Sequence, residues 1–231
     1  MPKSSTTAKL RQLSALAQQR QQTQWTGVTQ VGHYHNGYYD SEHVSPYTRS
    51  AGNVDADVFL MLQDWSSRTW LLKHPNDSEV RRLGYSPRVR TNRNLIDLLR
   101  THLGLPLADT YATNLFPFIK EGGLSATVQE AQLLQAAESF ALPQVRIVRP
   151  KLVVCLGQAT DRALRSVCGQ RPMPDLASAI ANPFDHAGVR YWAQAHPGYF
   201  GQLNRNRADP KQVAKDWCRM SDWLSSVSTD R

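Results

Sequence analysis

The sequence predicts an α/β protein, a single-domain three-layer sandwich around a central, mostly parallel, four-stranded sheet. Apolar runs of strand length, such as Val58–Leu62 and Leu152–Leu156, show no polar alternation, as befits strands buried on both faces. Stretches with apolar residues at helical spacing separate these runs. Each run closes on a polar residue or a glycine, where a strand-to-helix loop begins. Hydrophobic residues make up 41% of the 231, enough for the core of one domain of ordinary size.

The elements follow in order. Residues 1–50 form a polar N-terminal segment with scope for partial flexibility, and 51–231 the α/β domain. Leu10, Leu13 and Leu16 have helical spacing within a Gln-rich stretch, which is either a short helix or loose chain. His33–Tyr47, rich in Tyr, His, Asn and Gly, reads as an irregular surface segment. Val58–Leu62 is the first strand and ends at Gln63-Asp64; Leu95, Leu98 and Leu99 share one face of a helix over about 92–101. A second strand spans 110–114. Thr127 and Glu130 have the spacing of a capping box, opening a helix through Leu133, Leu134 and Ala137. Leu152–Leu156 is the third strand, closed by Gly157 and followed by a helix from Ala159. Val189–Ala195 is the fourth, and Asp209-Pro210 start a final helix carrying Val213, Trp217, Met220 and Leu224.

Composition narrows the function. Lys and Arg outnumber Asp and Glu by 27 to 19, a formal charge of +8, which favours a polyanionic partner through counterion release; a generally basic surface is the plainer reading. Cys155, Cys168 and Cys218 form no Cys-x-x-Cys pair, and the histidines have no zinc-finger spacing. No disulfide scaffold, metal or cofactor is expected, and a reducing, cytoplasmic compartment fits. The polar, basic N-terminus has no apolar targeting core, and no apolar run is long enough to span a bilayer. The phosphate loop G-x-x-x-x-G-K-[ST] is absent, against a nucleotide-using α/β enzyme.

Ligands of parallel sheets bind outside the carboxyl ends of the strands. Asp64, Asn114, Gly157-Gln158 and His196 each follow or end a predicted strand, so all lie on that edge. Singly, the acid reads as a helix cap, the amide as a loop tie and the histidine as structural. Their common edge makes them site candidates.

These residues resemble those of the uracil-DNA glycosylase superfamily, in its cluster-free members with a Gln-Asp motif. The pieces that correspond are Leu62-Gln63-Asp64-Trp65, Tyr85-Ser86, Thr113-Asn114 and His196-Pro197-Gly198, in the family's order. Arg149-Pro150-Lys151-Leu152-Val153-Val154-Cys155-Leu156-Gly157 is similar to a strand of other branches, and the likeness covers roughly 56–225. The resemblance implies a monofunctional DNA glycosylase that flips out uracil, or a related deaminated base, and initiates base excision repair. Asp64 would stabilise the sugar cation and orient water, and His196 would donate to the departing base. Asn114 would read the base edge, Tyr85 would stack on the ring, and the Gln63 main chain would touch the base. Ser66, Ser67, Ser86, Arg88, Pro197 and Gly198 would meet the DNA backbone, with Arg90, Arg93, Arg205 and Arg207 as further basic positions. Phe200, beside Tyr199 and Leu203, would fill the gap left by the flipped base, or else pack on the last helix. The partner implied is single- or double-stranded DNA, bound by a monomer without membrane or metal cluster.

The chain departs from the family at Trp65-Ser66, where the family has Pro-Tyr, and at Gly198, where it has Ser. The first change leaves open the exclusion of 5-substituted uracils. Both leave open a second function, a module of the same fold that binds DNA or a modified base without turnover.

Overall fold

The computed structural model describes residues 5–229; the outermost residues of the two expected segments, 1–4 and 230–231, lie outside it. Strands β1 (Val58–Asp64), β2 (Tyr111–Phe116), β3 (Leu152–Leu156), β4 (Phe184–His186) and β5 (Val189–Gln194) form one sheet in the order β2-β1-β3-β5-β4. β1, β2, β3 and β5 are mutually parallel neighbours, and β4 pairs antiparallel with β5. The α/β class and the mostly parallel sheet agree with expectation, and the strand count is corrected from four to five. β4 has only three residues, too few for a periodicity to show. It reaches β5 through Ala187-Gly188, both at positive φ (51° and 80°), the backbone of a tight hairpin turn. Stacking of Phe184 on Tyr191, with centroids 4.7 Å apart, fixes it in place.

In chain order the helices are α1 (Thr6–Gln22), α2 (Arg68–Lys73), α3 (Ser78–Leu83), α4 (Arg90–Leu98), α5 (Glu130–Ala136), α6 (Leu142–Val148), α7 (Gln158–Val167), α8 (Leu176–Ala181), α9 (Tyr199–Arg205) and α10 (Gln212–Thr229). Alternation along the strands divides the core. Phe59, Met61, Tyr111, Leu115, Val153 and Cys155 face the layer of α1, α5, α6 and α7. Val58, Leu60, Leu62, Ala112, Val154 and Trp192 face α4 and α10, which contribute Leu95, Val213, Trp217 and Met220. Burying both faces explains why these strands read as unbroken apolar runs.

Residues 5–50 belong to this same body. Leu13, Leu16 and Ala17 of α1 enter the first core, and the wholly buried Arg20 guanidinium donates to the carbonyls of Ser41 and His43. The segment 33–47 is irregular, a series of short 3₁₀ turns, but it is not a surface segment: Tyr39, Val44, Ser45 and Tyr47 are buried. The chain from Ser45 onward covers the free edge of β2. Thr48 Oγ1 donates to the Ala112 carbonyl (2.7 Å), and Ala112 N donates to the Ala51 carbonyl (2.7 Å). This pairing covers the start of the β2 edge, from Thr110 to Ala112. The expected capping box is also corrected. α5 starts at Glu130 with Gln129 as N-cap and no side-chain cap bond, and Thr127 turns toward the cavity described next.

Candidate functional site

A cavity of about 350 Å³ opens beside the carboxyl ends of β1 and β5. β1 supplies Leu62, Gln63 and Asp64, and the loop after it Trp65 and Ser66. Tyr47 and Tyr85 form an aromatic wall, stacked with centroids 5.1 Å apart and planes at 25°. Trp65 is held by its indole N–H, which donates to the Gly84 carbonyl (2.7 Å). Lys120 and residues 124–127 close one side, and His196, two residues beyond β5, completes the lining.

Asp64 and Lys120 are an ion pair inside this cavity. Lys120 Nζ lies 2.9 Å from Asp64 Oδ1, with side-chain exposures of 6% and 12%. Gln63 Nε2 donates to the other carboxylate oxygen at 3.2 Å. Burial pushes the Asp64 carboxyl above its ordinary range, and the Lys120 ammonium and Gln63 amide oppose that shift. Lys120 also donates to the Leu124 carbonyl (2.6 Å), which ties the loop wall to the pair.

His196 is biased toward its neutral form, and one hydrogen bond sets its tautomer. Burial, and then the nearby Lys120 charge, hold its pKa below the usual histidine value. The Gly198 N–H donates to His196 Nδ1 at 3.0 Å, so the ring proton belongs on Nε2, which is left to donate. The backbone around the ring is shaped for it. Gly157, at φ +103°, follows β3 between β1 and β5, and a Cβ there would stand 3.6 Å from His196 Cβ. Gly198 lies so close that an added Cβ would stand 2.9 Å from His196 Nδ1.

Asn114 is on the same sheet edge but does not line the cavity. It sits opposite Leu62 in the strand register, wholly buried. Its Oδ1 accepts from the Ser45 hydroxyl at 2.5 Å, and its Nδ2 is buried without a partner among the described residues. Ser66 lines the cavity, and its buried Oγ is likewise unpartnered. Of the expected DNA contacts, Ser86 faces the cavity and Phe200 is 69% exposed at the start of α9. Pro197 and Gly198 are buried beneath it, the Pro197 carbonyl accepting from Asn94 Nδ2 (2.7 Å).

Three of the expected contacts have partners within the protein. Ser67 is wholly buried as the N-cap of α2, accepting from Trp70 N, so it offers no surface donor. Arg205 is committed to Asp216 by two bonds of 2.6 and 2.9 Å. Arg88, though exposed, is paired with Asp77. Arg90 lies over the Tyr199 ring at 4.8 Å, and Arg93 and Arg207 are exposed.

Sequence reasoning missed Lys120, Tyr47 and Ser45. Lys120 was within reach, because a lone cation after the apolar run Phe116–Ile119 lies just past the end of β2, on the ligand-binding edge. Tyr47 and Ser45 carry no local signal; only the folding-back of the N-terminal segment brings them there. Among the described residues no cluster of three or more His, Cys, Asp or Glu side chains could hold a metal ion. No described helix is long and apolar enough to cross a membrane. No protein-family model matches the chain, and no curated protein matches it.

Proposed function

We infer that the protein is a DNA glycosylase that takes a flipped-out uracil, or a related deaminated base, into this cavity and hydrolyses its N-glycosidic bond. The observation that carries the reading is the convergence of an acid and a neutral, donor-ready imidazole on one aromatic-walled cavity. Breaking the bond between a deoxyribose and a base leaves positive charge on the sugar and negative charge on the base. The Asp64 carboxylate stabilises the first and orients the attacking water. His196 Nε2–H donates to the carbonyl oxygen on which the second collects, a fixed dipole that needs no reorganisation as charge develops.

Tyr85 and Tyr47 offer the base a stacking wall. Asn114, the base reader that the resemblance implies, keeps a buried Nδ2 without a partner among the described residues, but it lies outside the cavity wall, so no contact to the base is assigned to it. The exposed Tyr199, Phe200 and Leu203 of α9 suit the gap left in the duplex.

The test is release of free base from uracil-containing single- and double-stranded oligonucleotides, measured directly on the base. The full chain should release uracil, His196→Ala should lower the rate about 10²–10³-fold, and Asp64→Asn should suppress it strongly. Folded protein that releases no base from either substrate would remove the reading. A second reading, a binding module without turnover, is favoured by one observation: Asp64 is already neutralised by Lys120. Salt-sensitive binding without base release would select it.

A further inference from the structure

Base hydrolysis as just described uses a carboxylate, a water and an imidazole; it has no task for a primary amine. Yet Lys120 places one in the wall of the cavity, nearly buried and 2.9 Å from the acid assigned to the sugar. Burying an ammonium carries a desolvation cost, which Asp64 and the Leu124 carbonyl offset here while keeping the amine in the cavity wall. An amine beside a carboxylate in a cavity wall is also equipped for carbonyl chemistry. Desolvated lysines are the usual Schiff-base formers, and the carboxylate can take and return the protons.

The sugar left by base removal supplies the carbonyl. An abasic deoxyribose opens to an aldehyde at C1′, the atom from which the base departed and beside which Asp64 is placed. We propose that Lys120 is a nucleophile toward this aldehyde, so that the same cavity cleaves abasic DNA on the 3′ side of the lesion. The proposal rests on the reading above for the presence of the sugar next to Asp64.

The chemistry balances with the groups present. Lys120 passes a proton to the Asp64 carboxylate, which burial already inclines to accept one. The amine nitrogen bonds to C1′, its surplus proton moves to the former carbonyl oxygen, and Asp64 returns its proton as that oxygen leaves as water. The product is an iminium ion joining Lys120 to C1′. The regenerated carboxylate then removes a proton from C2′, and the freed electron pair expels the phosphate at C3′ by breaking the C3′–O3′ bond. Water hydrolyses the iminium, restoring the amine and releasing an unsaturated aldehyde on the 3′ end of the nicked strand. No oxidant, reductant or metal is required.

The ion pair supports this role geometrically. Lys120 Nζ stands 2.9 Å from Asp64 Oδ1, within reach of a direct proton transfer. The Leu124 carbonyl, which accepts from Nζ at 2.6 Å, holds the amine at the cavity wall while the proton moves.

The experiment uses the full chain and an oligonucleotide with a preformed abasic site, which bypasses base release. With sodium borohydride, a covalent protein–DNA adduct should form and map to Lys120. Without borohydride, the strand should be nicked before any alkali is added. An oligonucleotide carrying a tetrahydrofuran abasic analogue, which has no aldehyde, should give no adduct. Lys120→Arg, which keeps a cation beside Asp64, should lower the trapped yield at least 10²-fold. Absence of an adduct, an adduct on another amine, or undiminished trapping by Lys120→Arg would overturn the proposal. If that variant does not fold, the mapped position of the wild-type adduct decides. Uracil release without trapping overturns this proposal alone, and trapping without uracil release overturns the glycosylase reading alone. Failure of both assays overturns both.

Discussion

At Gly198 the chain has no room for any side chain, serine included. An added Cβ would lie 2.9 Å from His196 Nδ1, 3.0 Å from its Cε1 and 3.0 Å from Thr91 Oγ1. The glycine is therefore tied to the imidazole: its N–H sets the ring's tautomer and its missing side chain sets the ring's position. Gly198→Ala should displace the ring and lower base release at least about 10-fold, in line with the sensitivity of positioned donors, and kcat/KM for the two proteins checks it. The pH dependence belongs at this scale too. The Asp64 carboxyl is raised by burial, and its working form is ionised, so activity should fall as pH drops through a value above the ordinary carboxylate range. His196 is depressed by burial and the Lys120 charge, so its neutral form extends below the usual histidine value. Its burial contributes stability that is fully present above the unfolded histidine value and is lost as pH falls through the lowered one. A pH–rate profile, together with melting curves at each pH, separates the two groups.

Among the elements, α9 and the loop before it carry the most exposed apolar surface near the site. Tyr199 and Phe200 meet edge to face, and Arg90 covers the Tyr199 ring, so the aromatic pair is presented on a supported platform. Phe200→Ala should weaken binding to a uracil-containing duplex by ~1–3 kcal/mol, the worth of one base–aromatic contact. Because Phe200 is 69% exposed, the melting temperature should barely move. Binding titration and thermal unfolding of the same variant give the two numbers. A large loss of stability would instead assign Phe200 to packing. α1 behaves in the opposite way: its sequence shows little more than three leucines at helical spacing, yet Leu13, Leu16 and Arg20 anchor it to the core.

For the whole molecule, the formal charge of +8 sets how a polyanion is held. Part of the basic surface is internally committed, since Arg205 and Arg88 have carboxylate partners, while Arg90, Arg93 and Arg207 remain on the exposed surface. A contact to about four phosphates would make DNA affinity fall about 10²-fold between 50 and 200 mM salt. A salt titration of binding checks this, and a flat response would remove the phosphate track. At the same scale, the chain from Ser45 to Gly52 both covers the start of the β2 edge and supplies Tyr47 to the cavity, so sheet protection and site formation depend on one segment.

The mostly parallel sheet and the placing of Asp64, Asn114 and His196 on one edge were legible residue by residue. Strands buried on both faces must be apolar throughout, and the first polar residue after such a run must lie at the strand's end. Those are local consequences of composition, and a linear reading captures them. The rest depends on contacts between distant segments. β4 is too short to have a pattern, and its pairing comes from the turn and from Phe184 meeting Tyr191. The Asp64–Lys120 pair, the Ser45–Asn114 bond and the Tyr47–Tyr85 stack each join residues that no sequence spacing relates. Asn114 belongs to the right edge, yet the tertiary packing puts it behind the cavity rather than in its wall. Which residues reach the edge is a matter of strand length and polarity. What state they hold there, charged, neutral or orphaned, is set by desolvation and by partners that only the folded chain delivers.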